Sequence, residues 1–496
     1  IPVETDEPFR GSSDGATSSL ASTVCGLDDS RDVWHSYTAP ETGFVEIAVV
    51  ATDFDPTLAV FDEMRAFELA CNDDADDCVL NSAVCFEAVA TVRYLIRVAG
   101  YEGTTGHYRL DVTPVPQDEP ETPHSPRPAD RAQMVSAETL LVWDGWTPPA
   151  PSVASSAGKT TKKAASISVK TIYGRDDRRD EYQIQDRAIL QAGDATVVLL
   201  RRSDLFVDSK GDYELTSETL SEQIEDLCPE EPFQDQPAPG WCSGFLVAPD
   251  LVVTAGHCTG CEGDLELAAF VFGFVMRDAQ TPVTTFSTDD VYFADEIVAL
   301  QYGEPDWALV RLDRPVVGRV PLRLRRAGFV SESQPLLVVG HPRGLPRKYD
   351  AGGTVRNNWR PTWFSANVDT YVGSSGSAVF DRDTLMVEGL VVRGSITDFD
   401  FAALGFDCTR STVCPDTGCP GWEEATRVAV FAALVPCYDV YLGLDPGLLV
   451  QVDGGAAAPQ FLATGLEPGR TYYWRVVSRN SSGQVEGPIW SFTTAP

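Results

Sequence analysis

The strongest apolar runs in this chain are short and strand-like. Residues 45–51 (VEIAVVA), 94–98 (YLIRV) and 108–112 (YRLDV) stand near one end, and 438–442 (YDVYL), 471–477 (TYYWRVV) and 489–493 (IWSFT) near the other. Gly, Asp and Pro separate them. A strand sends successive side chains to opposite faces, so runs of this kind suit sheets packed on one or both sides. None approaches the ~18 apolar residues of a membrane-crossing helix. The richest stretch, 268–276, is short and holds a glycine. The expected class is therefore all-β, and 496 residues suggest about three to four domains.

Twelve cysteines fall into three groups of four: Cys25, Cys71, Cys78 and Cys85; Cys228, Cys242, Cys258 and Cys261; Cys408, Cys414, Cys419 and Cys437. Even numbers in each group suit disulfides closed within local units, and with them an oxidising compartment, hence a secreted or cell-surface protein. The alternative is zinc. Cys258 and Cys261 have ligand spacing, but no second such pair or His pair accompanies them. Lys and Arg total 38 and Asp and Glu total 73, a net charge of −35. That balance argues against nucleic-acid partners, whose binding rests on basic surface, and against anionic membranes.

Residues 17–116 read as a β-sandwich of short strands. The segments 32–37 (DVWHSY), 54–58 (FDPTL), 71–74 (CNDD) and 106–110 (GHYRL) resemble the bacterial pre-peptidase C-terminal (PPC) domain, which implies a PPC-like unit over 1–116. Its acidic run 72–77, with Asp53 and Asp55, offers hard oxygen ligands for a structural calcium ion, although the spacing is not that of an EF-hand and a solvated acidic turn is the plainer reading. Residues 114–131 and 147–163 read as linkers rich in Pro with acidic or small residues. At the other end, 466–472 (LEPGRTY) resembles the tyrosine-corner turn of fibronectin type III domains, with Tyr472 as its tyrosine. The 63 residues from 434 to 496 are too few for such a sandwich of ~100 residues. Its first strands are expected within 117–149, with the middle of the chain, 150–433, inserted into one loop. The rival reading is two unrelated fragments.

Three short motifs in the middle carry chemistry. His257 ends 241–258 (WCSGFLVAPDLVVTAGHC), behind two apolar strands. Asp306 opens the alternating strand 305–312 (PDWALVRL), and Ser375 lies in the glycine-rich turn 373–380 (GSSGSAVF). A serine hydroxyl attacks an amide only if a base takes its proton, and imidazole suits that task near neutral pH. A carboxylate must hold the imidazole tautomer, and backbone N–H groups must meet the developing oxyanion. Gly373 and Ser375 are the natural N–H donors.

The motifs TAGHC (254–258), D-x-A-L from Asp306 and G-x-S-G-S (373–377), in that order on strand-patterned sequence, resemble the trypsin-like serine peptidases of the bacterial glutamyl-endopeptidase branch. The stretches 173–178 (YGRDDR) and 339–342 (VGHP) match as well. The resemblance implies a chymotrypsin-like double β-barrel flanked by two β-sandwich domains. It implies His257 as base, Asp306 as orienting acid, Ser375 as nucleophile, a Cys242–Cys258 disulfide pinning the histidine loop, and a protein or peptide substrate. It implies no cofactor for catalysis, and the flanking units would take a surface or matrix ligand. The rival class is an inactive adhesion or scaffolding protein that keeps the fold. An esterase with the same residues is a third reading.

Two places depart from that family. The position before the nucleophile, commonly an aspartate that pairs with a newly cut N-terminus, holds Ser374. Glutamate-specific relatives use a threonine five residues before the nucleophile, where Thr370 stands, and a pocket histidine, whose place in 388–394 (EGLVVRG) is taken by Val391. Arg393 nearby either reads an acidic side chain of the substrate or points to solvent with an acidic neighbour. The three remaining cysteines near the pocket rim, Cys408, Cys414 and Cys419, are expected to staple a long loop, with Cys437 joining them or Cys408 alone.

Overall fold

The computed structural model describes residues 1–496 except 6, 19–29, 52–53, 64–67, 73–81, 116–119, 121, 145–170, 260–264, 395–398, 401–407, 416–418, 420 and 481–482. Most of the acidic run weighed for calcium, together with Asp53, Cys25, Cys78, Cys261 and the 147–163 linker, therefore lies outside the described residues. The rest is almost all β. The longest helix is Arg187–Asp194, capped by the Asp186 side chain on the amides of Ala188 and Ile189.

A closed six-stranded barrel sits at the centre. Its strands run in the order Thr196–Arg201, Cys242–Ala248, Leu251–Thr254, Trp307–Leu312, Val291–Gln301 and Ala268–Phe272, which returns to the first. Several are apolar on both faces because one face fills the barrel and the other packs on neighbours. Val197, Leu199, Phe245, Leu251, Val253, Phe270 and Leu309 are wholly buried. Each such aliphatic or aromatic side chain contributes about 1.5–3 kcal/mol by leaving water.

The second sheet has eight strands. The order is Arg179–Asp180, Lys348–Asp350, Leu336–Gly340, Ala378–Asp381, Val387–Arg393, Glu423–Arg427, Trp363–Ala366 and Val355–Asn357. An isolated bridge between Pro335 and Thr354 brings the far edge back beside Leu336–Gly340, so this sheet curls into a second barrel. Val338, Val379, Val391, Phe364 and Ala425 share its core.

Two sheets of five and four strands build residues 1–115 around Ile47, Val49, Val60, Ile96, Val98 and Leu110. This unit docks on the first barrel. Cys71 exchanges backbone hydrogen bonds with Glu304 (2.9 and 3.3 Å), and Cys85 N–H donates to Gln301 Oε1. Gly303 has φ +79°, and a Cβ there would lie 2.8 Å from Cys71 O, so the contact needs glycine.

The last unit draws on two distant segments. Thr139–Asp144 pairs with Gln460–Ala463, and Ala132–Val135 with Trp490–Thr494. Trp143, Tyr438, Tyr472, Trp474, Trp490 and Phe492 share one core. Tyr472 OH accepts the Glu467 N–H at 2.8 Å. The chain leaves this unit at Asp144 and re-enters at Cys437. One part of the stretch expected to be linker is strand: His124–Arg127 pairs with Thr139–Asp144, whose backbone supplies partners that a proline-rich sequence does not advertise.

The cysteines depart from the expectation of locally closed groups. Cys228 bonds to Cys408 across 180 residues, because the Leu227 and Thr409 backbones form a bridge that aligns them. Cys437 joins neither Cys408 nor the loop cysteines; it is a buried free thiol, as is Cys85. Cys414 bonds to Cys419 and Cys242 to Cys258. Three disulfides among the described residues mark an oxidising environment. No helix among the described residues is long and apolar enough to cross a membrane.

Candidate active site

Strand register brings His257 and Asp306 together. Thr254 pairs with Ala308 in the antiparallel ladder of Leu251–Thr254 and Trp307–Leu312. Two residues further on each chain, Gly256 faces Asp306. A Cβ at Gly256 would lie 2.7 Å from Asp306 Oδ1 and 2.4 Å from Gln301 O, so only glycine lets the carboxylate close on the next residue. His257 N–H then donates to Asp306 Oδ1 (3.1 Å) and His257 Nδ1–H to Oδ2 (2.6 Å). With the proton fixed on Nδ1, Nε2 keeps its lone pair and has no hydrogen-bond partner among the described residues. The imidazole is one-third exposed, and the carboxylate is nearly buried.

Three further contacts fix this pair. The Cys242–Cys258 disulfide (Cα–Cα 6.0 Å) ties the histidine turn to its own hairpin. Trp241 Nε1 donates to Cys258 O (3.2 Å), and Asp306 N–H donates to Thr426 Oγ1 (3.2 Å) across the barrel interface. Burial pushes the Asp306 carboxyl up. The adjacent imidazole, its hydrogen bonds and the charge of Arg393 outweigh burial and hold the group below the ordinary carboxylate range. The Cys242 and Cys258 sulfurs lie close to the His257 ring, but their disulfide removes the thiolates that a zinc ion would need.

Ser375 sits in a turn between two left-handed glycines, Gly373 (φ +91°) and Gly376 (φ +84°). A Cβ at Gly376 would fall 1.9 Å from Ser243 O, which excludes any other residue. Ser243, on the histidine hairpin, organises the turn. Its N–H donates to Ser375 O (2.8 Å) and its hydroxyl to Gly373 O (3.0 Å), while its oxygen accepts His341 N–H (2.8 Å). Thr254 Oγ1 donates to Ser243 O (2.7 Å). The nucleophile turn is thus strapped to the strand pair that ends in His257, and Cys258 Sγ lies 3.8 Å from Ser375 O.

Within the turn, the amides of Ser374, Gly376 and Ser377 donate to Tyr371 O, Val391 O and Ser374 O. Those of Gly373 and Ser375 donate to nothing among the described residues. The Ser375 hydroxyl donates to Val392 O (3.3 Å), not to His257. Ser374 is buried and its hydroxyl accepts the Tyr371 N–H (3.2 Å).

Two of the three residues weighed for specificity are wholly buried. Val391 lies in the second barrel's apolar core. Thr370 is wholly buried, its hydroxyl without a partner among the described residues. Arg393 is gripped by Glu424 and Glu304 (3.3 Å to the latter) and donates to Gly303 O (3.2 Å). It joins the nucleophile-side sheet to the Asp306 loop. Ser243, Gly256, Thr426 and Glu304 were not singled out in the sequence. Their partners lie far away along the chain, and only Gly256, flanked by Ala255 and His257, carried a local signal.

The profile of the trypsin-like peptidase domain family matches residues 242–387, which span the histidine hairpin, Asp306 and Ser375. No curated protein matches the chain. Among solved structures, the VesB protease of Vibrio cholerae is 11% identical, with TM-score 0.32, covering 64% of this chain and 99% of its own. A Glu endopeptidase is 14% identical, with TM-score 0.31 and coverage of 53% and 97%. Kallikrein-related peptidase 10 is 15% identical, with TM-score 0.28 and coverage of 49% and 93%. Two curled β-barrels carrying the matched segment define a serine-peptidase-like fold of the trypsin and chymotrypsin type, flanked by further β-sheet units.

Proposed function

We propose that this protein is a secreted serine endopeptidase acting through Ser375, His257 and Asp306. The observation that carries the reading is His257, whose backbone and imidazole are held by the two Asp306 oxygens with Nε2 unpaired among the described residues, beside a turn with two amides that donate to none of them. The Ser375 hydroxyl would swing from Val392 O to Nε2 as a substrate settles; such bonds often tighten only in the complex. Oγ then attacks the peptide carbonyl carbon while its proton passes to Nε2. The carbonyl oxygen, now negative, receives the N–H groups of Gly373 and Ser375. The imidazolium protonates the leaving nitrogen, the C–N bond breaks, and an acyl-enzyme remains. Water, deprotonated by His257, cleaves the ester and restores Ser375. Asp306 stays ionised throughout and balances the imidazolium.

The units over 1–116 and over 126–144 with 434–496 fit PPC-like and fibronectin type III-like accessories that would hold a surface or matrix ligand. A preference for acidic residues next to the cut gains no support from Arg393, whose guanidinium is already neutralised by two glutamates. Hydrolysis of a mixed fluorogenic peptide set tests the proposal. Wild type is expected to cut, and Ser375→Ala and His257→Ala to lose about 10⁴-fold or more in kcat. Equal turnover by wild type and Ser375→Ala would refute it.

A further inference from the structure

A second arginine near the Asp306 loop differs from Arg393 in having no bonded carboxylate among the described residues. The guanidinium of Arg360 lies 4.0 Å from the Trp359 ring centre and 5.6 Å from that of Trp363. It makes no ion pair or hydrogen bond among the described residues, and its Nε is buried without a partner. Other arginines without an ion pair among the described residues, such as Arg202, Arg326 and Arg427, donate to backbone carbonyls, whereas Arg360 bonds to nothing there and only lends its charge to the Glu304 carboxylate.

The loop that carries it is built rather than loose. Buried Arg427 donates from Nε to Arg360 O (3.1 Å) and from its terminal nitrogen to Asn358 O (3.1 Å), and its N–H donates to Thr362 O (2.8 Å). Asn358 Nδ2 donates to Val330 O. The loop also touches the catalytic machinery. Trp363 Nε1 donates to Glu304 Oε1, two residues before Asp306, and Glu304 pairs with Arg393, next to the Val392 carbonyl that holds the Ser375 hydroxyl. Trp359 is 62% exposed, so this corner opens to solvent.

We infer that Trp359, Arg360 and Trp363 form a carboxylate-binding subsite that recognises an acidic side chain of the substrate peptide, away from the cut bond. This rests on the peptidase reading above. Aromatic rings cover the faces of a guanidinium and leave its edge, where the N–H groups form a fork matched to a carboxylate. A fixed loop lowers the entropy lost on binding. The overall negative charge is screened beyond about 8 Å at physiological salt and does not oppose a contact pair.

The test uses full-length Ser375→Ala protein and neutral peptides along which one glutamate, or glutamine as control, is walked; tryptophan fluorescence reports binding. One glutamate position is expected to bind about tenfold tighter than its glutamine control, as one charge-assisted pair allows. Arg360→Gln should abolish that difference while leaving glutamine peptides and the melting temperature unchanged, and Trp359→Ala should weaken it. No glutamate advantage at any position, or one that survives Arg360→Gln, overturns the inference. Turnover of the neutral peptides by wild type, read separately, tests the peptidase proposal itself.

Discussion

The two barrels meet the same structural demand by different physics. The first is filled by aliphatic and aromatic side chains, from Val197 through Phe245 and Phe270 to Leu309, all wholly buried. The second and its strap, 171–183, bury a polar bed beneath the nucleophile turn. Lys348 donates to Asp180 (2.6 Å), Gln236 (2.7 Å) and Pro346 O (2.7 Å). Arg178 is held by both oxygens of Asp176 and lies over the Tyr371 ring at 3.7 Å. Asp350 and Asp369 accept backbone amides from Gly352, Asp369, Tyr173 and Asp177. Burial first, and their mutual repulsion in the case of Asp369, push both of these carboxyls up. Burial of carbon stabilises the half that offers the base, whatever the pH. The half that offers the nucleophile depends on charges that are stable only as complete sets. Single-residue changes should therefore separate the two halves.

The largest expected effect is on chemistry. Asp306→Asn keeps the shape of the link between the barrels but forfeits the tautomer, and kcat should fall about 10⁴-fold with little change in KM. Steady-state kinetics on one peptide measure this; a fall under about tenfold would remove Asp306 from its role. Next, Lys348→Met leaves Asp180 buried beside no cation and should cost about 3–5 kcal/mol in guanidinium unfolding. Leu309→Ala in the first barrel should lose about 2–5 kcal/mol by cavity formation alone. A loss under about 1 kcal/mol for Lys348→Met would break the contrast between the halves.

Acid should act on the polar half. His341 is buried, with Nδ1 bonded to Leu345 O (3.0 Å) and its ring stacked on Phe274. Burial, helped by the charges of Arg347 and Lys348 and opposed by the Leu345 bond, pushes its pKa from 6.5 down to about 3. The unfolded chain takes up a proton below about 6.5 while the folded one stays neutral. Stability is then full above that pH and declines as pH falls towards 3, by up to about 1.4 kcal/mol per unit for this one group. His35, pushed down to about 4 by burial first, adds a similar slope in the N-terminal unit. His341→Gln should flatten thermal melts between pH 6.5 and 4, and an unchanged slope would discount this histidine. The smallest effect is expected for Thr426→Val. It strips the acceptor from the Asp306 N–H, worth about 1 kcal/mol, and should lower kcat several-fold without moving KM.

Much of this organisation was legible in the sequence where the cause is local. Alternating runs punctuated by Gly and Pro announced the β class, because side-chain alternation and backbone turns act over a few residues. The glycine frame of Ser375 likewise shows itself in five consecutive positions. Long-range pairing left no such trace. Ser243, an ordinary strand serine, organises the nucleophile turn from 130 positions away. Cys228 and Cys408 meet only because a bridge aligns them. Arg393 drew attention by its place in the sequence, yet Glu304 and Glu424, from two other segments, take up its charge. Arg360 gave no signal, since an arginine between two tryptophans looks the same whether or not a carboxylate waits in the fold.

The most direct measurement is covalent labelling with a fluorophosphonate, which reacts only with an activated serine, followed by peptide mapping of the adduct. The account predicts one adduct, on Ser375, lost in Ser375→Ala and strongly slowed in His257→Ala. A well-folded protein that takes no label, or takes it equally after Ser375→Ala, would contradict it.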